Sequence, residues 1–265
     1  MSYKLLSNKT GSDHDIDQWQ TRSLEGELEA FKGRTLLQIF SKYINGHSFN
    51  IIEAGCGLGA WCEWFQRRNH SVIGIEYDPH VVLKAKSAKP DIPVEAGNIN
   101  NLRFADNTFD AYISLGVIEH FEQGPEKALA EAFRVLKPGG LGFFSTPLLT
   151  PFRRFVTHPI RNLYFIKQKL SGEQSHFWEY RFSKKELRNY LEQAGFRVID
   201  EGIDDYCQNI SNRHLGIWAD WFFFRNPNNE IWSLNTPGRL LLKFLKLFPE
   251  DWYCAGYIYV VEANK

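Results

Sequence analysis

No part of this 265-residue chain is a long apolar run, and none approaches the ~20 residues needed to span a bilayer. The N-terminal stretch MSYKLLSNKTGSDHDIDQWQ lacks the apolar core of a secretory leader. Cysteine is scarce: Cys56, Cys62, Cys207 and Cys254 are scattered without a CxxC pair. That argues against a zinc site or disulfide framework and makes a cytoplasmic setting the expectation. Excess charge is absent too. Lys+Arg and Asp+Glu both number 31, so no basic groove for nucleic acid is expected. Internal repeats and low-complexity tracts are also lacking. What the chain has in quantity is aromatic side chains, 15% of residues with eight Trp and 21 Phe, many of them after residue 150.

Residues 1–23 read as a loose polar arm. Residues 24–44 place Leu28, Phe31, Leu36, Leu37, Phe40 and Ile44 at helical spacing, and Asn45-Gly46 ends that helix. Strand and helix signals then alternate. Apolar strands are expected at 49–54, 71–76, 93–96, 109–115 and 141–145, with helices at 61–68, after Asp78-Pro79, and after Gly124-Pro125. Asp78 is a good N-cap and Pro79 a good first helical residue. Residues 137–140, Lys-Pro-Gly-Gly, read as a turn. Ser183 and Glu186 form a capping box for a helix that Gly195 stops. Strands at 196–201 and 255–262 follow. Strands separated by helices imply parallel neighbours and right-handed crossovers, hence a three-layer, doubly wound α/β sheet. Two segments break the rhythm, at about 147–182 and 206–250, and read as insertions. An N-terminal arm and helix (1–48) thus precedes one domain (49–265).

The central signal is Glu53-Ala54-Gly55-Cys56-Gly57-Leu58-Gly59, set between a strand and a helix. Glycines serve there because the chain turns sharply and a ligand packs on bare backbone. The loop can also be forced onto the dinucleotide fingerprint, with Glu76 placed to accept from ribose hydroxyls. Loop and Glu76 alone therefore leave NAD and S-adenosylmethionine both open. Glu53 favours the latter: a carboxylate at that strand end would repel a pyrophosphate and suits a zwitterionic amino-acid tail.

With Gly74-Ile-Glu76-Tyr77-Asp78-Pro79, Gly97-Asn98-Ile99, Phe104 ahead of Phe109-Asp110, Glu119-His120 and Leu136-Lys-Pro-Gly-Gly140 added, the chain resembles the class I methyltransferases, especially those acting on small molecules. The resemblance is close over 49–147 and weaker through 182–201. It implies a sheet ordered 3-2-1-4-5-7-6, counting seven strands along the chain, with strand 7 antiparallel. It implies S-adenosylmethionine as cofactor, with S-adenosylhomocysteine as product. Glu53 would meet the methionine amine, Ala54, Gly55, Cys56 and Gly57 would cradle the cofactor, and Glu76 would bind the ribose diol. Tyr77 would flank the adenine, Asn98 and Ile99 would read its edge, and Leu115 would face the methionyl part.

The acceptor side is less legible. Methyl transfer from a sulfonium needs alignment above all, and an oxygen or nitrogen nucleophile that must lose a proton also calls on a base. The candidates are His120, His176 and Tyr180. Family members that bind a metal here carry Glu three residues before the Glu-His pair; Gly116 stands at that position, so no metal is expected. The two insertions are expected to form an acceptor lid. Residues 240–248 are apolar nearly all round, and a helix buried under the final strand is favoured over one lying on a membrane surface. Trp218, Trp221, Phe222, Phe223 and Phe224 suit a ring, a sugar face or a lipid tail. Arg153, Arg154, Arg161 and Lys167 could meet an anionic acceptor, although charges on an insertion are usually solvated. The reading is methyl transfer to a small or lipid- or sugar-linked acceptor, with a non-catalytic cofactor-binding protein or a protein methyltransferase as alternatives.

Overall fold

The computed structural model describes residues 2–7, 19, 21–172, 174–206, 212–228 and 232–265. Cys207 lies outside the described residues. In chain order the elements are β1 (Tyr3–Ser7), α1 (Leu24–Ala30), α2 (Thr35–Tyr43), β2 (Asn50–Ala54), α3 (Ala60–Gln66), β3 (Ser71–Glu76), α4 (Pro79–Ala88), β4 (Val94–Ala96), β5 (Phe109–Leu115), α5 (Glu126–Val135), β6 (Leu136–Pro147), α6 (His158–Leu170), β7 (His176–Arg181), α7 (Lys184–Gln193), β8 (Phe196–Asp204), α8 (Leu215–Asp220), α9 (Thr236–Leu245) and β9 (Gly256–Ala263).

Seven strands form one sheet in the order β4-β3-β2-β5-β6-β9-β8. Strands β4 to β6 are parallel, and β9 runs antiparallel to both its neighbours. This is the 3-2-1-4-5-7-6 order, and its origin is visible residue by residue. Successive strand side chains point to opposite faces, and here both faces are buried. Ile52, Tyr112, Phe144 and Tyr259 pack on one side with Leu129 of α5 and Leu191 of α7. Their neighbours Ile51, Ile113, Phe143 and Val260 pack on the other with Phe40 of α2, Phe65 of α3 and Val82 of α4.

Local signals fixed several boundaries. The Asp78 side chain accepts from the His80 amide at 2.8 Å and starts α4. Ser183 and Glu186 close both halves of the capping box on α7.

Three expectations are corrected. The helix expected over 24–44 is two helices, broken where Gly33 takes a φ of +82°. The turn at 137–140 lies inside β6 as a bulge. Phe109 pairs with Leu136 and Ala111 with Leu141, so two steps on β5 face five on β6. The arm is not wholly loose: β1 pairs antiparallel with β7 in a separate two-stranded ribbon, and the Tyr3 ring stacks on His158 at 3.6 Å.

Candidate functional site

The carboxyl ends of β2, β5, β6 and β8 open onto one cavity of about 550 Å³, the edge where ligands bind in sheets of this type. The loop after β2 forms its floor. Gly55, Gly57 and Gly59 have φ of +78°, +54° and +75°, values that side chains rarely adopt. A Cβ on Gly55 would lie 2.4 Å from Val117, and one on Gly57 would lie 2.3 Å from the Trp19 ring. Trp19 belongs to the N-terminal arm and its ring rests on the loop.

Glu53 lines the cavity and is 5% exposed. The amide and thiol of Cys62 donate to its Oε2 at 3.1 and 3.0 Å. Burial pushes its carboxyl up to about 8, against the pull of the two Cys62 donors and helped by the charge of Glu76. No cation pairs with it among the described residues. A buried, uncompensated carboxyl facing a ligand cavity fits the cationic amine of an amino-acid ligand.

Glu76 stands at the end of β3. Its Oε2 accepts from the Gly57 amide at 2.9 Å and its Oε1 from the Asp78 amide at 3.0 Å. The adenine end is open. Tyr77 is 77% exposed, and Asn98 is exposed with its Oδ1 accepting from the Asn100 amide at 2.9 Å. Ile99 is buried, and Ala54 is fully buried within β2. Of the residues expected at the cofactor, Glu53, Gly55, Cys56, Gly57 and Leu115 line the cavity. Ala54, Glu76, Tyr77, Asn98 and Ile99 are not among its lining residues.

Of the three acceptor-side candidates, only His120 lines the cavity. Its Nδ1 lies 2.9 Å from the Trp178 carbonyl oxygen. A carbonyl only accepts, so Nδ1 carries a hydrogen, which in the neutral ring leaves the lone pair on Nε2. His176 lies in β7 opposite Ser7, and the Tyr180 hydroxyl donates to the Glu122 carbonyl at 3.0 Å. Neither lines the cavity.

Glu119, His120 and Glu179 bring potential metal-ligating atoms within 4.8 Å of one another. Glu179 was not anticipated; it comes from β7 rather than from the position of Gly116. All three groups also have an account without a metal. Glu179 accepts from Arg181 Nε at 3.0 Å, and His120 is tied to Trp178. Burial, reinforced by the nearby charge of Glu179, raises the Glu119 carboxyl well above the usual range, which favours its protonated form.

The far wall of the cavity was largely missed by sequence reasoning. It holds Trp178 and Arg181 from β7, Asp204 from β8, and Trp218 and Arg225 from the second insertion. Arg153 is not solvated but 3% exposed. Its Nε and Arg181 both bind Asp220, at 2.8 and 2.7 Å. The two guanidinium groups hold the Asp220 carboxyl below its ordinary range, against the effect of burial. Arg34 pairs with Asp204 at 2.6 Å, and the Ser145 hydroxyl donates to the same carboxylate at 2.5 Å.

The helix at 236–245 is not buried under the final strand. It packs Leu242 and Leu245 onto Ile217, Leu234 and Tyr253 and leaves Leu240 and Phe244 exposed. Both insertions thus line the cavity and present apolar side chains outside it.

A doubly wound sheet with a glycine loop after its first parallel strand and a carboxylate after its second defines a nucleoside-cofactor-binding α/β protein. Comparison with known proteins narrows the class. The methyltransferase domain family matches residues 52–144. A demethylmenaquinone methyltransferase of Renibacterium salmoninarum is 35% identical over 172 residues, covering 62% of this chain and 69% of that protein. The mitochondrial ubiquinone biosynthesis O-methyltransferase of Dictyostelium discoideum is 27% identical over 166 residues, covering 57% and 50%. The chain spans about half the length of several curated relatives it matches. An S-adenosylmethionine-dependent methyltransferase from Mesorhizobium loti shares the fold, with a TM-score of 0.58 at 15% identity over 91% of this chain and all of that one. The chain belongs to the S-adenosylmethionine-dependent methyltransferases.

Proposed function

We propose that the protein transfers the methyl group of S-adenosylmethionine to a nucleophilic atom of a small or lipid- or sugar-linked acceptor. The observation that carries this reading is a single cavity with two different ends. One end holds the glycine loop and buried Glu53, and the other is walled by Trp178, Arg181, Trp218 and Arg225 from the lid segments. A binding-only protein has no use for the second end. Two of the relatives take their names from quinone metabolism, which suits an acceptor of this size. The unpaired cysteines Cys56, Cys62 and Cys254 suit a reducing cytoplasm, and no helix among the described residues is long and apolar enough to cross a membrane.

S-adenosylmethionine, when bound, supplies an electrophilic methyl on a sulfonium whose departure as a neutral thioether needs no acid. The chain's own residues bind and align. Gly55 and Gly57 let the ligand approach bare backbone. Glu53 receives the amine, and Glu76 offers carboxylate oxygens to the ribose while fixing the loop. Leu115 bounds the methionyl part, with Tyr77, Asn98 and Ile99 at the open adenine end. Nε2 of His120 is the atom best prepared to take the acceptor's proton, because the bond to the Trp178 carbonyl uses Nδ1–H and orients the ring, so in the neutral ring the lone pair is on Nε2.

Calorimetric titration with S-adenosylmethionine, S-adenosylhomocysteine and NADH tests the reading. Binding of both sulfur compounds and not NADH supports it. NADH binding alone, or no binding of the sulfur compounds, overturns it.

A further inference from the structure

Six arginines line the cavity: Arg22, Arg34, Arg153, Arg161, Arg181 and Arg225. Four are matched to carboxylates. Arg22 meets Glu27 at 3.3 Å, Arg34 meets Asp204, Arg153 meets Asp220, and Arg181 meets both Glu179 and Asp220. The remaining two form no direct ion pair with a carboxylate among the described residues. Arg161 lies over the Phe165 ring at 5.8 Å. Arg225 stacks on Trp218 at 3.9 Å, and its Nε donates to the Trp218 carbonyl at 2.8 Å. Both are half-buried. Desolvation disfavours their charge, and at Arg161 nearby Arg181 adds to this while the charges of Asp220 and Glu179 offset it only in part. Guanidinium groups kept charged, partly desolvated and unmatched in a ligand cavity are matched by the ligand.

The stretch that carries Arg161 and one that follows Arg225 share a second property. Residues 147–172 contain five Lys and Arg and no Asp or Glu, and residues 231–249 contain three and none. On α6, Ile160, Leu163, Ile166 and Leu170 recur at intervals of three and four residues. They share one helix face and are 51–84% exposed. Beyond the second insertion's arginine, Leu240, Phe244 and Leu247 do the same on and just after α9, at 57–78% exposed. Phe152, just ahead of α6, packs against the cluster that seats α9, so the two faces spring from one lid. Basic, acid-free helices with bare apolar faces suit the surroundings of an anionic lipid rather than plain water.

We propose, building on the methyltransferase reading, that the acceptor is an anionic amphiphile. Its phosphate or carboxylate binds at Arg161 and Arg225 inside the cavity, and its hydrocarbon tail lies along the apolar faces of α6 and α9. The head group orients the acceptor, and the tail sets which molecules are accepted.

The test titrates the full chain, with and without saturating S-adenosylhomocysteine, with three monomeric probes: octyl phosphate, inorganic phosphate and octyl glucoside. Octyl phosphate is expected to bind at least ~10-fold more tightly than inorganic phosphate, since burial of two methylenes already corresponds to about that factor. Octyl glucoside is expected not to bind. R161Q and R225Q are each expected to weaken octyl phosphate about 10-fold, the scale of a lost charge-assisted hydrogen bond, with S-adenosylhomocysteine affinity kept. L163E and F244E are expected to remove the advantage of the octyl chain and leave phosphate binding intact. Arginine variants that bind octyl phosphate like the parent overturn the anion site. Equal affinity for phosphate and octyl phosphate overturns the tail. Failure to bind S-adenosylhomocysteine counts against the methyltransferase reading instead, and the titration without it still decides the anion site.

Discussion

The Gly57 amide donates to Oε2 of Glu76 at 2.9 Å. The carboxylate expected at the ribose thus also ties the glycine loop to the end of β3, with its other oxygen on the Asp78 amide. Removing it loosens the loop and, on the proposed reading, takes away a ligand contact as well. Glu76→Ala is expected to weaken S-adenosylhomocysteine about 10- to 100-fold, the range of one or two hydrogen bonds to a charged group. Glu76→Gln, which keeps an acceptor oxygen, falls between. Calorimetry reads both, and unchanged affinity in Glu76→Ala would remove Glu76 from the site.

Gly57 makes a sharper demand, because two separate costs meet there. Its φ of +54° costs any other residue about 1–2 kcal/mol, and the Trp19 ring occupies the place of a side chain. Gly57→Ala is therefore expected to lower unfolding stability by more than the backbone cost alone. In a Trp19→Ala background the steric part disappears and only the backbone part remains. A double-mutant cycle in thermal or denaturant unfolding measures the difference. Strict additivity of the two substitutions would mean that Trp19 does not rest on the loop.

Much of the nucleotide-binding half is legible in the sequence because its causes are local. Residues 71–76 and 109–115 are apolar runs bounded by turn formers, and they form strands at those bounds. Asp78 and Ser183 announce helix starts through bonds spanning two or three residues. The acceptor wall has no such local cause. Arg153 and Asp220 are 67 residues apart, and nothing near Arg153 in the chain says that it is buried. Glu179 meets His120 across a long sequence separation, where the neighbouring Trp178 carbonyl holds the His120 ring, and a five-residue strand such as YKLLS, which pairs with β7, carries too weak an alternation to stand out from a polar arm. The acid-free stretches 147–172 and 231–249 within the insertions are readable; which faces stay bare depends on where α6 and α9 dock.

Glu53 gives a pH dependence with a definite sign. Its carboxyl is raised from 4.5 in the unfolded chain to about 8 in the fold. Below the lower value both states are protonated and the contribution to stability is full. As pH rises toward 8 the unfolded chain releases the proton and the fold retains it, so this contribution is lost progressively. Glu53→Gln is expected to flatten that part of the decline measured between pH 5 and 8. A cationic amine beside Glu53 reverses its preference for the proton. Binding of S-adenosylmethionine near pH 7 is then expected to release a proton, seen as a heat that varies with the buffer's ionisation enthalpy. Release that persists undiminished in Glu53→Gln would place the amine elsewhere.

Glu119, His120 and Glu179 pose a choice between a proton and a cation. Two carboxylates this close, one of them 1% exposed, cannot both stay charged without compensation. Arg181 already compensates Glu179, and a proton on Glu119 would remove the other charge, so charge balance can be reached without a metal. Dialysis against EDTA is accordingly expected to leave methyl transfer to any accepted substrate unchanged. Glu119→Gln, which imitates the protonated acid, is expected to change stability by less than about 1 kcal/mol, because it keeps the neutral shape and polarity of the buried group. His120→Ala is expected to lower the rate constant about 100-fold or more when the acceptor must lose a proton, with S-adenosylhomocysteine affinity little altered. Activity lost on chelation and restored by Mg²⁺ or Mn²⁺, together with an inactive but folded Glu119→Gln, would instead make these three residues a metal site. His120 Nε2 would then serve as a ligand rather than a base.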